Sequence, residues 1–100
     1  MELQNKIKKE ISDNSVMLYM KGTKEMPMCG FSATVVKILN NHNISYKAVN
    51  VLEDPNIRVE LSNLSNWPTI PQLFVNGELV GGCDIALDLH NSGELKNILD

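Results

Sequence analysis

The sequence predicts an α/β domain, a mixed sheet with helices on both faces. Three observations predict it. Apolar residues switch between a helical period and short strand-like runs, in the order α-β-α-β-α-β-β-α-α. The first two strand-like runs flank a helix, the pattern of a right-handed βαβ crossover that covers a sheet. The last two are joined by Asn76-Gly77, the signature of a two-residue type I′ hairpin.

Each element has a local reason. Leu3, Ile7 and Ile11 fall at i, i+4 and i+8 and form a first amphipathic helix that ends near Asp13-Asn14. Val16-Met17-Leu18-Tyr19-Met20 is a continuous apolar run, as in a strand buried on both faces. Lys21 to Met28 is polar, holds Gly22 and Pro27, and is a loop. From Cys29 onward, Val35, Val36 and Leu39 mark a helix to about Asn41, and Ser45 to Asn50 alternates weakly as a second strand. Asp54-Pro55 opens the next helix, Asp as N-cap and Pro at the first helical position, with Ile57, Leu61 and Leu64 on its apolar side. Trp67-Pro68-Thr69-Ile70-Pro71 is extended or turned, because two prolines exclude helix there. Leu73-Phe74-Val75 and Leu79-Val80 form the hairpin, and Gly81-Gly82 ends it. A helix follows through Ile85 to Leu89, then a short one capped by Ser92 and carrying Leu95, Ile98 and Leu99. No repeat, linker or low-complexity segment divides residues 1–100, so one domain is expected.

Composition narrows the function. The 100 residues carry 9 Lys+Arg against 12 Asp+Glu, a net charge of −3, and 43% are hydrophobic. That is globular composition with enough apolar residues for one core. A single arginine, Arg58, and an acidic balance exclude the clustered positive charge of a nucleic-acid surface. No apolar run approaches the ~20 residues of a membrane span. The start, Met1-Glu2-Leu3-Gln4-Asn5-Lys6, lacks the apolar core of a signal peptide. Two cysteines do not make a disulfide-stapled scaffold, so a reducing, cytoplasmic setting is expected, where thiols act as reagents.

Cys29 stands where a buried strand has ended, a loop has passed and a helix begins. Unsatisfied N–H groups and the positive end of the helix dipole favour a thiolate there. Lys21, at the mouth of the same loop, adds positive charge. Three residues on, where a two-cysteine redox site needs its second thiol, stands Ser32, and a hydroxyl cannot resolve a disulfide. Cys83 lies far along the chain, so its distance from Cys29 is open at this point. Cys29 therefore works with an external thiol.

Met20-Lys21-Gly22-Thr23, Cys29-Gly30-Phe31-Ser32, Asn66-Trp67-Pro68-Thr69-Ile70-Pro71-Gln72 and Val80-Gly81-Gly82-Cys83-Asp84 together resemble the monothiol (CGFS-type) glutaredoxins. Four separated motifs in the right order, spanning Val16 to Leu99, carry the resemblance. It implies a thioredoxin-like fold with a central four-stranded mixed sheet and a cis peptide bond at Ile70-Pro71. It also implies a glutathione site. Lys21 and Arg58 would hold the glycyl carboxylate, and the Ile70 backbone would pair with the cysteinyl part as an added strand does. The Gly81-Gly82 break would admit the ligand to the start of a helix at Cys83-Asp84. There N–H groups would bind the γ-glutamyl carboxylate and Asp84 its ammonium. The loop Gly22 to Met28, longer than in dithiol relatives, is the family feature held to reposition glutathione and weaken disulfide reduction.

Ligand arithmetic follows from the resemblance. A [2Fe–2S] cluster takes four thiolates. Cys29 from each of two copies and two glutathiones supply them, so the implied state is a homodimer bridging a cluster through Cys29. The expected function is cluster assembly and transfer to iron–sulfur acceptor proteins, with BolA-like regulators as possible partners. The alternative is a glutathione-dependent thiol-disulfide oxidoreductase, at most weak, in which Cys29 is the catalytic nucleophile. Of the remaining residues, Met26 and Met28 are expected to pack rather than ligate a metal, and Trp67 to shape the loop before Pro68. Phe31 either faces a partner or covers the core. His42 and His90 are expected at the surface, with no Cys or carboxylate at ligand spacing.

Overall fold

A computed structural model describes residues 2–99; Met1 and Asp100, the ends of the expected 1–100 domain, lie outside the described residues. The elements are α1 (Glu2–Asp13), β1 (Val16–Met20), α2 (Gly30–Asn41), β2 (Lys47–Asn50), α3 (Pro55–Ser65), β3 (Gln72–Val75), β4 (Glu78–Gly81), α4 (Cys83–Ser92) and α5 (Glu94–Leu99), with a 3₁₀ turn over Val51–Glu53. The order matches the expectation except for that turn. Strand β2 starts two residues later than the alternation suggests, and α4 starts at Cys83, two residues before the periodic Ile85 and where the resemblance places it.

The sheet order is β2-β1-β3-β4. Strand β1 runs parallel to β2 and antiparallel to β3, and β3 pairs antiparallel with β4, so the sheet is mixed. Asn76 and Gly77 both take positive φ, 51° and 84°, as a type I′ turn requires. The period of two sorts the buried strands between the faces. Val16, Leu18 and Met20 of β1 and Leu73 and Val75 of β3 meet α2, Ala86 of α4 and Leu95 of α5. Met17 and Tyr19 of β1 and Phe74 of β3 meet Ile7 of α1 and Leu61 of α3. Burial on both sides explains why β1 is apolar at every position.

Caps place the helices. The Asp54 carboxylate accepts a 3.0 Å bond from Asn56 N–H beside Pro55 at the first turn of α3. Asn66 ends that helix in the left-handed region at φ 57°, turning the chain into the Trp67–Pro71 loop. The Ile70–Pro71 peptide is cis, as the family pattern implies. Ser92 Oγ accepts from Glu94 N–H at 3.3 Å, while Gly93, at φ 83°, closes α4.

Candidate functional site

Cys29 is the N-cap of α2. Its backbone is extended, φ −148° and ψ 136°, while its carbonyl accepts the first helical bond from Ala33 N–H at 2.9 Å. No side-chain capping bond occupies the thiol. Its pKa is held below the ordinary thiol value, first by the Ser32 backbone N–H. Slight desolvation opposes this; the Phe31 N–H, the Lys21 charge and the Ser32 hydroxyl add to it. The helix start thus presents a part-exposed thiol that ionises more readily than an ordinary cysteine.

Ser32 has a second task. It is fully buried, and its Oγ accepts from Lys21 N–H at 3.1 Å. The next N–H, of Gly22, donates to Asn50 Oδ1 at 2.9 Å, and Leu52 N–H donates to the same oxygen at 3.0 Å. Two side chains therefore fix the peptides at the start of the loop. The loop itself folds back as a miniature hairpin. Gly22 bridges Pro27, Thr23 and Met26 exchange two 3.1 Å backbone bonds, and Met28 N–H donates to Lys21 O at 2.9 Å. Gly22 has φ 93°, and a Cβ there would stand 2.5 Å from Met26 O, so only glycine fits. Because the loop pairs with itself, its methionines do not pack as expected. Met26 and Met28 are 69% and 64% exposed, and Phe31 beside the thiol is 62% exposed, facing outward rather than covering the core.

Ile70, Cys83 and Asp84 line one cleft of about 360 Å³ together with Phe31, Trp67 and Gly82. Ile70 is itself buried, its side chain packed in the core beneath the cleft. Trp67, expected to shape the loop, also lines this cleft, and its buried Nε1–H lacks a protein partner. A Cβ on Gly82 would meet Pro71 O at 3.3 Å and Trp67 Nε1 at 3.5 Å, and one on Gly81 would meet Ile85 at 2.7 Å. The glycine pair thus lets the chain approach itself at the cleft wall. Lys21 and Arg58 line a second cleft of about 440 Å³ with Val51, Leu52, Pro55 and Val59. Among the described residues neither cation forms an ion pair. Cys29 lies within electrostatic reach of both groups, through Lys21 on one side and Cys83 on the other.

Cys83 begins α4, and its thiol is pushed up, chiefly by burial and then by the Asp84 charge; the Thr34 hydroxyl opposes this and Cys29 adds to it. The charge of Cys29 is felt at Cys83, as the weakest of the influences on it. Among the described residues no group of three or more His, Cys, Asp or Glu is arranged to hold a metal ion.

Two positioning residues stand outside the expected site residues, although Gln72 ends one of the motifs. Asn50 is one. Gln72 is the other: it is fully buried in β3, and its Nε2 donates to Trp67 O at 2.9 Å and Thr69 O at 3.1 Å, holding the loop that carries Ile70. The available signal was a polar residue at the end of a buried strand beside a loop, where an unpaired amide would be costly.

Comparison with known proteins gives the class first. The chain superposes on reduced poplar apo GrxS14 with a TM-score of 0.84 and 44% identity, covering 97% of this chain and 93% of that one. It also superposes on a buckwheat glutaredoxin–glutathione complex with a TM-score of 0.87 at 22% identity, over 98% and 87% of the two chains, a likeness of fold. The fold is the thioredoxin-like fold of glutaredoxins. The Glutaredoxin family model matches residues 16–80. A curated protein of Rickettsia typhi, named "Probable monothiol glutaredoxin 2", is 56% identical over 97 residues, 97% of this chain and 84% of that protein. With Ser32 at the second-thiol position, this chain belongs to the glutaredoxin family, in its monothiol branch. Among the described residues no helix is long and apolar enough to cross a membrane.

Proposed function

We propose that this chain, residues 1–100 acting as one glutaredoxin domain, binds glutathione and shares a [2Fe–2S] cluster between two copies, handing it to iron–sulfur acceptor proteins. One observation carries the proposal: an open, thiolate-favouring Cys29 with a buried hydroxyl, Ser32, where a resolving thiol would stand. The donor set fits the cluster. Each copy offers one thiolate of that kind, and the cluster takes four, leaving two for glutathione. Cys83 is a poor substitute, since burial and Asp84 disfavour its thiolate.

Glutathione fits the surrounding clefts. Lys21 and Arg58 are cations free to hold its glycyl carboxylate. The Ile70 backbone meets its cysteinyl part, and the first turn of α4 at Cys83 and Asp84 receives its γ-glutamyl end. The glutathione complex of the buckwheat protein, which shares the fold, supports the same ligand. BolA-like proteins are a further partner class, and a reducing compartment such as the cytoplasm suits the free thiols.

A second activity, glutathione-dependent thiol-disulfide exchange at Cys29, is favoured by the same lowered thiol pKa. Anaerobic reconstitution with iron, sulfide and glutathione separates the two. Visible absorption and a dimer that both require glutathione and vanish in Cys29→Ser are expected. No such cluster, with brisk turnover of a small glutathione mixed disulfide, would transfer the assignment to the oxidoreductase.

A further inference from the structure

Helices α2 and α4 lie side by side and run the same way. Thr34 reaches Cys83 near their starts, and His42 reaches His90 near their ends. His42 is the C-cap of α2 and His90 sits in the last turn of α4. The sequence pattern leaves these histidines as unrelated surface residues. The fold makes them a half-buried pair, with His42 Nε2 3.1 Å from His90 Nδ1 and ring centroids 5.2 Å apart.

We propose that His42 and His90 form a bidentate site for a borderline divalent transition-metal ion, Cu²⁺ the strongest binder, at the opposite end of α2 from Cys29 and independent of its chemistry. Metal–imidazole bonds of about 2.0–2.1 Å, at angles between square-planar and tetrahedral, set two donor nitrogens about 2.8–3.4 Å apart. The observed 3.1 Å falls inside that window. The two lone pairs now share one proton in a hydrogen bond. For both nitrogens to ligate, the donating ring takes its other tautomer, its proton moving to the far nitrogen, and both rings tilt so that their lone pairs converge beside the N···N line; neutral rings need release no proton.

Electrostatics point the same way. Helix C-termini carry about half a negative charge, and two converge here. The last turn of α2 holds no basic residue, and His90 is the basic residue in the last turn of α4. A cation between the rings would complement both helix ends. With no third protein ligand in a cluster among the described residues, water completes the coordination, and the ion is exchangeable.

The test uses the full chain with Cys29 and Cys83 both replaced by serine, which removes thiolates that would bind and reduce copper. Titration with Cu²⁺, followed by calorimetry and electron paramagnetic resonance, is expected to show one ion with two imidazole nitrogens. His42→Gln and His90→Gln should each weaken binding by about tenfold or more and remove one nitrogen from the spectrum. Should either variant unfold, histidine ¹⁵N spectra of the unmodified rings during a Zn²⁺ titration replace it. His42 Nε2 and His90 Nδ1 should then shift together. Unchanged affinity and spectrum in either folded variant, losses of only about twofold, or ¹⁵N shifts confined to one ring would overturn the proposal.

Discussion

Cys29 and Cys83 are the same side chain at nearly the same kind of position, the start of a helix. Their acidities nonetheless diverge in opposite directions. Cys29 precedes α2 at the mouth of an open loop, where N–H groups and Lys21 reach it with little burial. Cys83 lies inside the first turn of α4, against a cleft wall and next to Asp84. A helix N-terminus is therefore insufficient to make a reactive thiol. The balance decides: at Cys29 donors led by the Ser32 N–H, with Lys21 adding, outweigh slight desolvation, whereas at Cys83 burial and then the Asp84 charge prevail.

The contrast breaks most completely at Gly22. Gly22→Ala drives a Cβ to 2.5 Å from Met26 O and 2.6 Å from Met28 N at a φ of 93°. Neither contact is a flexible side-chain tip, so the loop must open. A loss of about 2–4 kcal/mol in denaturant unfolding is expected. Cys29 should lose part of its lowered pKa while Cys83 keeps its raised one. A variant as stable as the parent would show that the loop hairpin does not hold Cys29 in place.

Alkylation measures the contrast directly. At neutral pH iodoacetamide should modify Cys29 at least about tenfold faster than Cys83, since the thiolate is the nucleophile. The signs of the linked stabilities also oppose. The depressed pKa of Cys29 contributes stability above the ordinary thiol value, lost as pH falls through the native value. The raised pKa of Cys83 contributes below the ordinary value and is lost as pH rises through the native one. Comparable alkylation rates in peptide mapping across pH 6–9 would abolish the distinction.

A smaller effect tests how the loop is held. Asn50→Ala removes the acceptor of Gly22 N–H and Leu52 N–H. The expected cost is about 1–2 kcal/mol, with faster amide exchange at both residues. If Gly22 keeps its protection, the Ser32 contact to Lys21 alone anchors the loop.

What was legible in the sequence divides along the same lines. Helix caps such as Asp54, the Asn76-Gly77 turn and the doubly buried β1 are local or strictly periodic, and they stood in plain view. Asn50 and Gln72 were invisible as site residues because their partners, Gly22 and the Trp67–Thr69 carbonyls, meet them only after the sheet forms. The outward turn of Met26 and Met28 was missed for a related reason. Apolar composition suggests packing, but the hydrogen bonds of the loop to itself leave those side chains outside. The meeting of Thr34 with Cys83, and of His90 with His42, needs the packing of α2 on α4, which no single helix encodes.

The smallest change separates the two causes acting on Cys83. Burial ranks above the Asp84 charge in raising its pKa, so Asp84→Asn removes only the lesser one. The thiol should become a few-fold more reactive at neutral pH and still lag well behind Cys29. The residual gap is the part due to burial, which charge neutralisation cannot touch. If Asp84→Asn instead brought the two thiols to equal alkylation rates, charge rather than desolvation would be what silences Cys83. The open setting of Cys29 would then matter less than its distance from a carboxylate.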